Sequence, residues 1–106
     1  MKRLKRRYLA LALDSHETFG SSEFMDAVWA AVSKLYGEYG ASRAALSLID
    51  YNGERKSAVI RTVHTALEMV RTALASITKI CNKPAAVHVL AVSGTLKTLH
   101  HKTERT

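Results

Sequence analysis

The sequence predicts one α+β domain with the element order strand, helix, strand, strand, helix, strand. Four antiparallel strands make a single sheet, and two helices cover one of its faces. Three observations carry this. Residues 7–13 (RYLALAL) alternate, with Leu9, Leu11 and Leu13 on one side and Tyr8, Ala10 and Ala12 on the other, as in a strand with one apolar face. From Ser22 the period lengthens, and Phe24, Val28, Ala31, Val32, Leu35 and Tyr39 recur at helical spacing. Asn52-Gly53 then divides two β-rich segments, and both residues tolerate the positive φ of a hairpin turn.

The remaining elements follow in order. DSHETFGSS breaks the first strand; Ser21 or Ser22 can cap the first helix, and Glu23 and Asp26 suit its positive N-terminal pole. Gly37 and Gly40 mark the helix end, with Gly40 as a left-handed cap. Thr65 and Glu68 have the spacing of a capping box for the second helix, whose apolar stripe is Leu67, Val70, Leu74 and Ile77. Pro84 stops that helix, and AAVHVLAV makes the last strand. This order is the split βαβ arrangement of ferredoxin-like, RNA-recognition-motif-like sandwiches. The domain spans residues 1–106, with a basic segment at 1–7 and a basic tail at 97–106.

Charge is the unusual bulk property. Sixteen Lys and Arg against nine Asp and Glu give a net charge of +7, which suits a polyanionic partner such as nucleic acid and equally a soluble domain that is basic by chance. In the predicted sheet the first and last strands are antiparallel neighbours, so the start of one lies beside the end of the other. KRLKRR and the tail bearing Lys97, His100, His101, Lys102 and Arg105 are thereby expected to form one basic patch. The opening mimics the charged region of a signal peptide, yet its apolar run of six residues, 8–13, is too short and ends at Asp14. No stretch approaches the ~20 apolar residues of a membrane span. An intracellular, cytoplasmic protein without a membrane partner is expected.

Catalytic candidates are few. Asp14, His16 and Glu17 could support acid–base work, but the sequence supplies no partnering nucleophile and the same residues suit a turn. His64 and His88 stand alone, so no metal site is expected. Cys81, the single cysteine, reads as a partly buried, inert thiol near a helix end. ERKSAVIRTV on the third strand has no aromatic and the first strand offers Tyr8 alone, so base stacking on the sheet is not expected. Ala10, Ala12 and Ser47 suit either close approach of another protein or an ordinary sheet exterior. Ser93-Gly94-Thr95 reads as a strand-ending turn or, beside Lys97, as a phosphate-holding loop.

KRRYLALAL, LYGEYGAS, LSLIDYNGE, AVIRTVHTALEMVRTALASIT and VHVLAVSGTLK, in this order and spacing, resemble the archaeal ribonuclease P protein component 2 family. That family is related to a eukaryotic subunit shared by ribonuclease P and the mitochondrial-RNA-processing ribonuclease. The resemblance implies a protein subunit of the ribonucleoprotein that removes the 5′ leader from precursor tRNA. It further implies that the RNA subunit is the catalyst and requires Mg²⁺, while this chain binds no cofactor and has no active site. The implied partners are the catalytic domain of ribonuclease P RNA and protein component 3, two pairs forming a heterotetramer. Position by position, it points to Lys2, Arg3, Lys5, Arg6, Arg7, Ser93, Gly94, Thr95, Lys97 and the tail's Lys102 as RNA-binding residues. Arg61 either joins them or pairs with an acid such as Glu68. Candidate contacts to component 3 are Tyr8, Ala10 and Ala12 on the open face and Tyr51, Asn52, Gly53 and Glu54 at the hairpin. The competing readings are a stand-alone RNA-binding adaptor of the same fold and a small enzyme built on Asp14, His16 and Glu17.

Overall fold

A computed structural model describes residues 5–94 of the chain. The first strand, β1 (Arg6–Asp14), places Leu9, Leu11 and Leu13 in the core, as their alternation requires. It lies at the centre of an antiparallel sheet, flanked on one side by β3 (Ser57–Val63) and on the other by β6 (Ala86–Ser93). β2 (Ser47–Asn52) extends the sheet beyond β3, giving the spatial order β2-β3-β1-β6. Helices α1 (Ser21–Ala44) and α2 (Leu67–Ser76) bury Phe24, Val28, Val70 and Leu74 against one face of the sheet. The predicted architecture is the one observed.

Register assigns each side chain to a face. Ile60 and Thr62 of β3 point under the helices; Arg61 points away from them and sits opposite both Tyr8 and Ser47. Tyr8 in turn faces Ser93, so Ser47, Arg61, Tyr8 and Ser93 form one row across the open face. Extra residues on the two outer strands, Ile49 and Leu90, shift the register as β-bulges, and Leu90 is left exposed.

Several local features differ from the sequence expectation. Gly20, not a serine, occupies the N-cap of α1, and its N–H donates to Glu23 Oε1 at 3.0 Å. Gly37 carries the positive φ (77°), and the helix resumes beyond it to Ala44, with Ala45 as the left-handed cap. Gly40 is therefore interior, and a Cβ there would lie 2.9 Å from Tyr36 Cβ. Leu35 and Tyr39, expected in the core, are exposed. The hairpin between β2 and β3 is a four-residue loop, 53–56, with positive φ at Lys56. Asn52 serves it by accepting the Arg55 N–H at 3.1 Å rather than by its own conformation. Thr65 and Glu68 form no capping box: a 3₁₀ turn (His64–Ala66) precedes α2. After α2, a small hairpin of β4 (Lys79–Ile80) and β5 (Lys83–Pro84) turns at Cys81-Asn82, both at positive φ. Cys81 is thus an exposed turn residue, not a buried one. Its thiol is held above its ordinary range, chiefly by its hydrogen bond to Glu23.

Thr62 ties the helix layer to the sheet. It is wholly buried, and its hydroxyl donates to the Ala44 carbonyl at 2.7 Å, satisfying an acceptor that the ending helix leaves over. Thr62→Val keeps the shape but orphans that carbonyl. The expected cost is about 1–3 kcal/mol, read as a lower urea midpoint.

Candidate nucleic-acid interface

The strand order brings the two chain ends of the sheet together. β1 begins where β6 finishes: Tyr8 is opposite Ser93, and a Cβ on Gly94 would lie 3.3 Å from Arg7 Nη1. Absence of a side chain at Gly94 thus lets the guanidinium lie close against the strand end. Arg7 also donates to the Arg6 carbonyl at 3.1 Å, and the Lys5 carbonyl accepts the His64 N–H at 2.7 Å. Lys5, Arg6, Arg7, Arg61, Ser93 and Gly94 therefore occupy one end of the sheet; the tail expected to complete a basic patch there, with Lys97, His100, His101, Lys102 and Arg105, lies outside the described residues. Lys2, Arg3, Thr95, Lys97 and Lys102, the other candidates, lie outside the described residues.

Arg61 makes no ion pair with Glu68. Among the described residues Lys83 pairs with Glu17 at 3.7 Å, and His88 Nε2 lies 3.9 Å from Asp14, both exposed and both at the opposite end of the sheet. Arg61 instead faces outward in the Ser47–Tyr8–Ser93 row, where its cation adds to the field of Arg6. Arg43 was not among the sequence candidates. Ending α1 at Gly40 would have left it in a loop, whereas it stands in the last helical turn, over the Tyr39 ring at 5.6 Å. The available signal was its spacing of four from Tyr39.

The candidate partner residues divide between two faces. Tyr8, Ala10 and Ala12 lie on the open face, where Ala10, Asp50, Ser57, Val59 and Leu90 line a shallow depression of about 230 Å³. Asn52, Gly53 and Glu54 lie at the hairpin end. Tyr51 does not join an outward surface: it sits under α1, its ring 5.5 Å from that of Phe24 and its hydroxyl donating to the Phe19 carbonyl at 2.6 Å. Burial raises its pKa, with the Glu23 carboxylate adding to the shift.

Asp14, His16 and Glu17 are held as a turn. Ser15 Oγ accepts the Glu17 N–H and donates to the Pro84 carbonyl, while the Lys56 ammonium donates to the Ser15 carbonyl. Asp14 lies beside His88 and Glu17 beside Lys83, so the three residues do not converge on one point. Among the described residues no three His, Cys, Asp or Glu side chains gather as a metal-binding group. None of the described helices is long and apolar enough to cross a membrane.

Comparison with known proteins gives this geometry a family. Residues 7–103 match the model of the Rpp14/Pop5 family. The chain belongs to the Rpp14/Pop5 family. Ribonuclease P protein component 2 of Methanosarcina mazei is 36% identical over 95 residues, covering 90% of this chain and 80% of the relative. The protein of the same name from Pyrococcus furiosus is 32% identical, covering 92% of this chain and 82% of the relative. The fold of this Rpp14/Pop5 member is also that of a chain in the cryo-EM structure of yeast ribonuclease MRP, with TM-score 0.74, 15% identity and coverage of 99% and 95%.

Proposed function

We propose that this chain is a protein subunit of an archaeal, cytoplasmic ribonuclease P, the ribonucleoprotein that cuts the 5′ leader from precursor tRNA. In this reading it binds the catalytic domain of the RNA subunit through the end of the sheet bearing Lys5, Arg6, Arg7 and Ser93-Gly94. Protein component 3 binds beside it, in a heterotetramer of two pairs, and the open face with its shallow depression is its seat. The RNA performs the cleavage with Mg²⁺, and the protein lowers phosphate repulsion so that RNA helices pack closely and retain the ion. The observation that carries the proposal is the meeting of the two strand ends in one cationic site, in a chain whose archaeal relatives bear the name of such a subunit.

The test is reconstitution. The purified chain alone is expected to leave precursor tRNA uncut. Added with ribonuclease P RNA and component 3 at low Mg²⁺, it is expected to raise the cleavage rate. Unchanged cleavage with and without the chain would overturn the proposal. Tight RNA binding that ignores component 3 would instead support the adaptor reading.

A further inference from the structure

The break in α1 at Gly37 leaves an aromatic groove beside the cationic end. Tyr36, Tyr39, Gly40 and Arg43 from α1 meet Thr65 and Met69 around a cleft of about 320 Å³. Tyr39 keeps 75% of its surface exposed, the largest value among the exposed large apolar residues described. Arg43 stands over its ring at 5.6 Å, and at that exposure most of the ring remains open to solvent. No carboxylate lines the cleft. A larger groove of about 530 Å³ toward the other end of α1 is lined by charges of both signs, Glu23 and Asp26 with Lys34 and Lys79, and by no aromatic ring.

Position adds a second argument. The Ala44 carbonyl at the end of α1 is bonded by Thr62, and Thr62 pairs across the sheet with Arg7. The His64 N–H donates to the Lys5 carbonyl at 2.7 Å, and Thr65, next in the chain, lines the cleft, so the cleft lies beside the end of the sheet that carries Lys5, Arg6 and Arg7. An exposed ring flanked by a guanidinium, next to cations that draw in a phosphate backbone, has the chemistry that holds an unpaired base. Gly40 keeps the cleft open, because it has no side chain to fill the space beside Tyr36 and Met69.

We propose that this cleft takes one unpaired RNA base, stacked on the exposed ring of Tyr39 beside Arg43. The proposal rests on the reading of the chain as an RNA-binding subunit and adds single-strand recognition to it. Base stacking is sequence-tolerant, so the site distinguishes unpaired from paired RNA rather than one base from another. A duplex keeps its bases inside and meets the cations alone.

The test compares the full wild-type chain with Tyr39→Leu and Tyr39→Phe. The probes are labelled single-stranded oligoadenylate of about ten nucleotides and a blunt RNA duplex of equal length, measured by fluorescence anisotropy. Tyr39→Leu is expected to weaken single-strand binding roughly 5- to 100-fold while leaving duplex binding unchanged. Tyr39→Phe, which keeps the ring, is expected to stay within about twofold of wild type on both probes. Wild-type affinity of Tyr39→Leu for the single strand, or equal loss on both probes, would overturn the proposal. So would loss of component 3 association with single-strand binding intact, which would make the cleft a protein seat. The reconstituted cleavage assay separates the two readings. Stimulation by the wild-type chain alongside an unaffected Tyr39→Leu sinks the stacking site alone. Absence of stimulation alongside weakened single-strand binding sinks the subunit reading alone.

Discussion

Replacing Arg6 and Arg7 together with Ala is expected to weaken assembly with ribonuclease P RNA about 30- to 40-fold near 0.15 M salt. The figure follows from counterion release. Each cation that neutralises a phosphate contributes about one unit to the slope of log K against log salt, so the double variant loses about two. Extrapolated from about 1 M, where that contribution vanishes, two units amount to roughly the stated factor. The double variant and the wild type should therefore converge at high salt, which a loss of folding would not produce. Arg6 is exposed and the half-buried Arg7 donates to its neighbour's carbonyl rather than to the core, so the domain itself should remain intact. Its urea midpoint is the control. A variant that assembled normally at physiological salt would remove these arginines from the interface.

The largest expected effect on stability comes from Phe24→Ala. Phe24 is wholly buried in the first turn of α1, and its N–H donates to the Gly20 carbonyl at 3.0 Å. Its ring lies against Tyr51, which is itself anchored through its hydroxyl to the Phe19 carbonyl. Truncation removes apolar surface from the core and leaves a cavity that α1 cannot close without dragging the 15–20 loop with it. About 3–5 kcal/mol is the expected cost, a large share of the ~5–15 kcal/mol that holds a domain together. Chemical denaturation reads it directly. Phe24→Leu, which fills most of the space, should cost far less, and equal losses for the two would mean that the ring is not packed as described.

The parts of this fold that were legible in the sequence are those fixed by one strong local pattern. The alternation of residues 7–13 placed Leu9, Leu11 and Leu13 in the core, and that same strand's neighbours in the topology brought Arg7 to Gly94. What failed to show were choices decided by tertiary contact. Gly37 and Gly40 look alike in sequence, yet they are glycine for different reasons. A Cβ on Gly37 would meet nothing within 4 Å, so its φ of 77° alone demands glycine; a Cβ on Gly40 would collide with Tyr36. Local spacing cannot rank these two causes, and choosing the wrong one concealed Arg43 and the cleft beside it. Asn52-Gly53 misled in a related way. The dipeptide does sit at the hairpin, but bulging at Ile49 and bonding of Asn52 to Arg55 set a longer loop. The outward pair of the candidate interface, Arg61 and Tyr8, was likewise invisible until cross-strand register placed them opposite each other.

The distribution of acids has a kinetic consequence. Asp14, Glu17, Glu23 and Glu54 lie at the end of the sheet and helices where β1 finishes and α1 begins, opposite Lys5, Arg6 and Arg7. Arg55, Lys56, Lys79 and Lys83 stand at that same end, where these acids offset them, leaving the cations of the opposite end in excess. In the field of a polyanion such a body experiences a torque before it makes any contact, and it arrives with its arginines leading. Removing the distant carboxylates would leave Lys5, Arg6 and Arg7 in place and alter how often an encounter is productive. In the proposed complex the distant acids thus act on the rate of arrival, while the arginines at the interface act on how long the complex lasts.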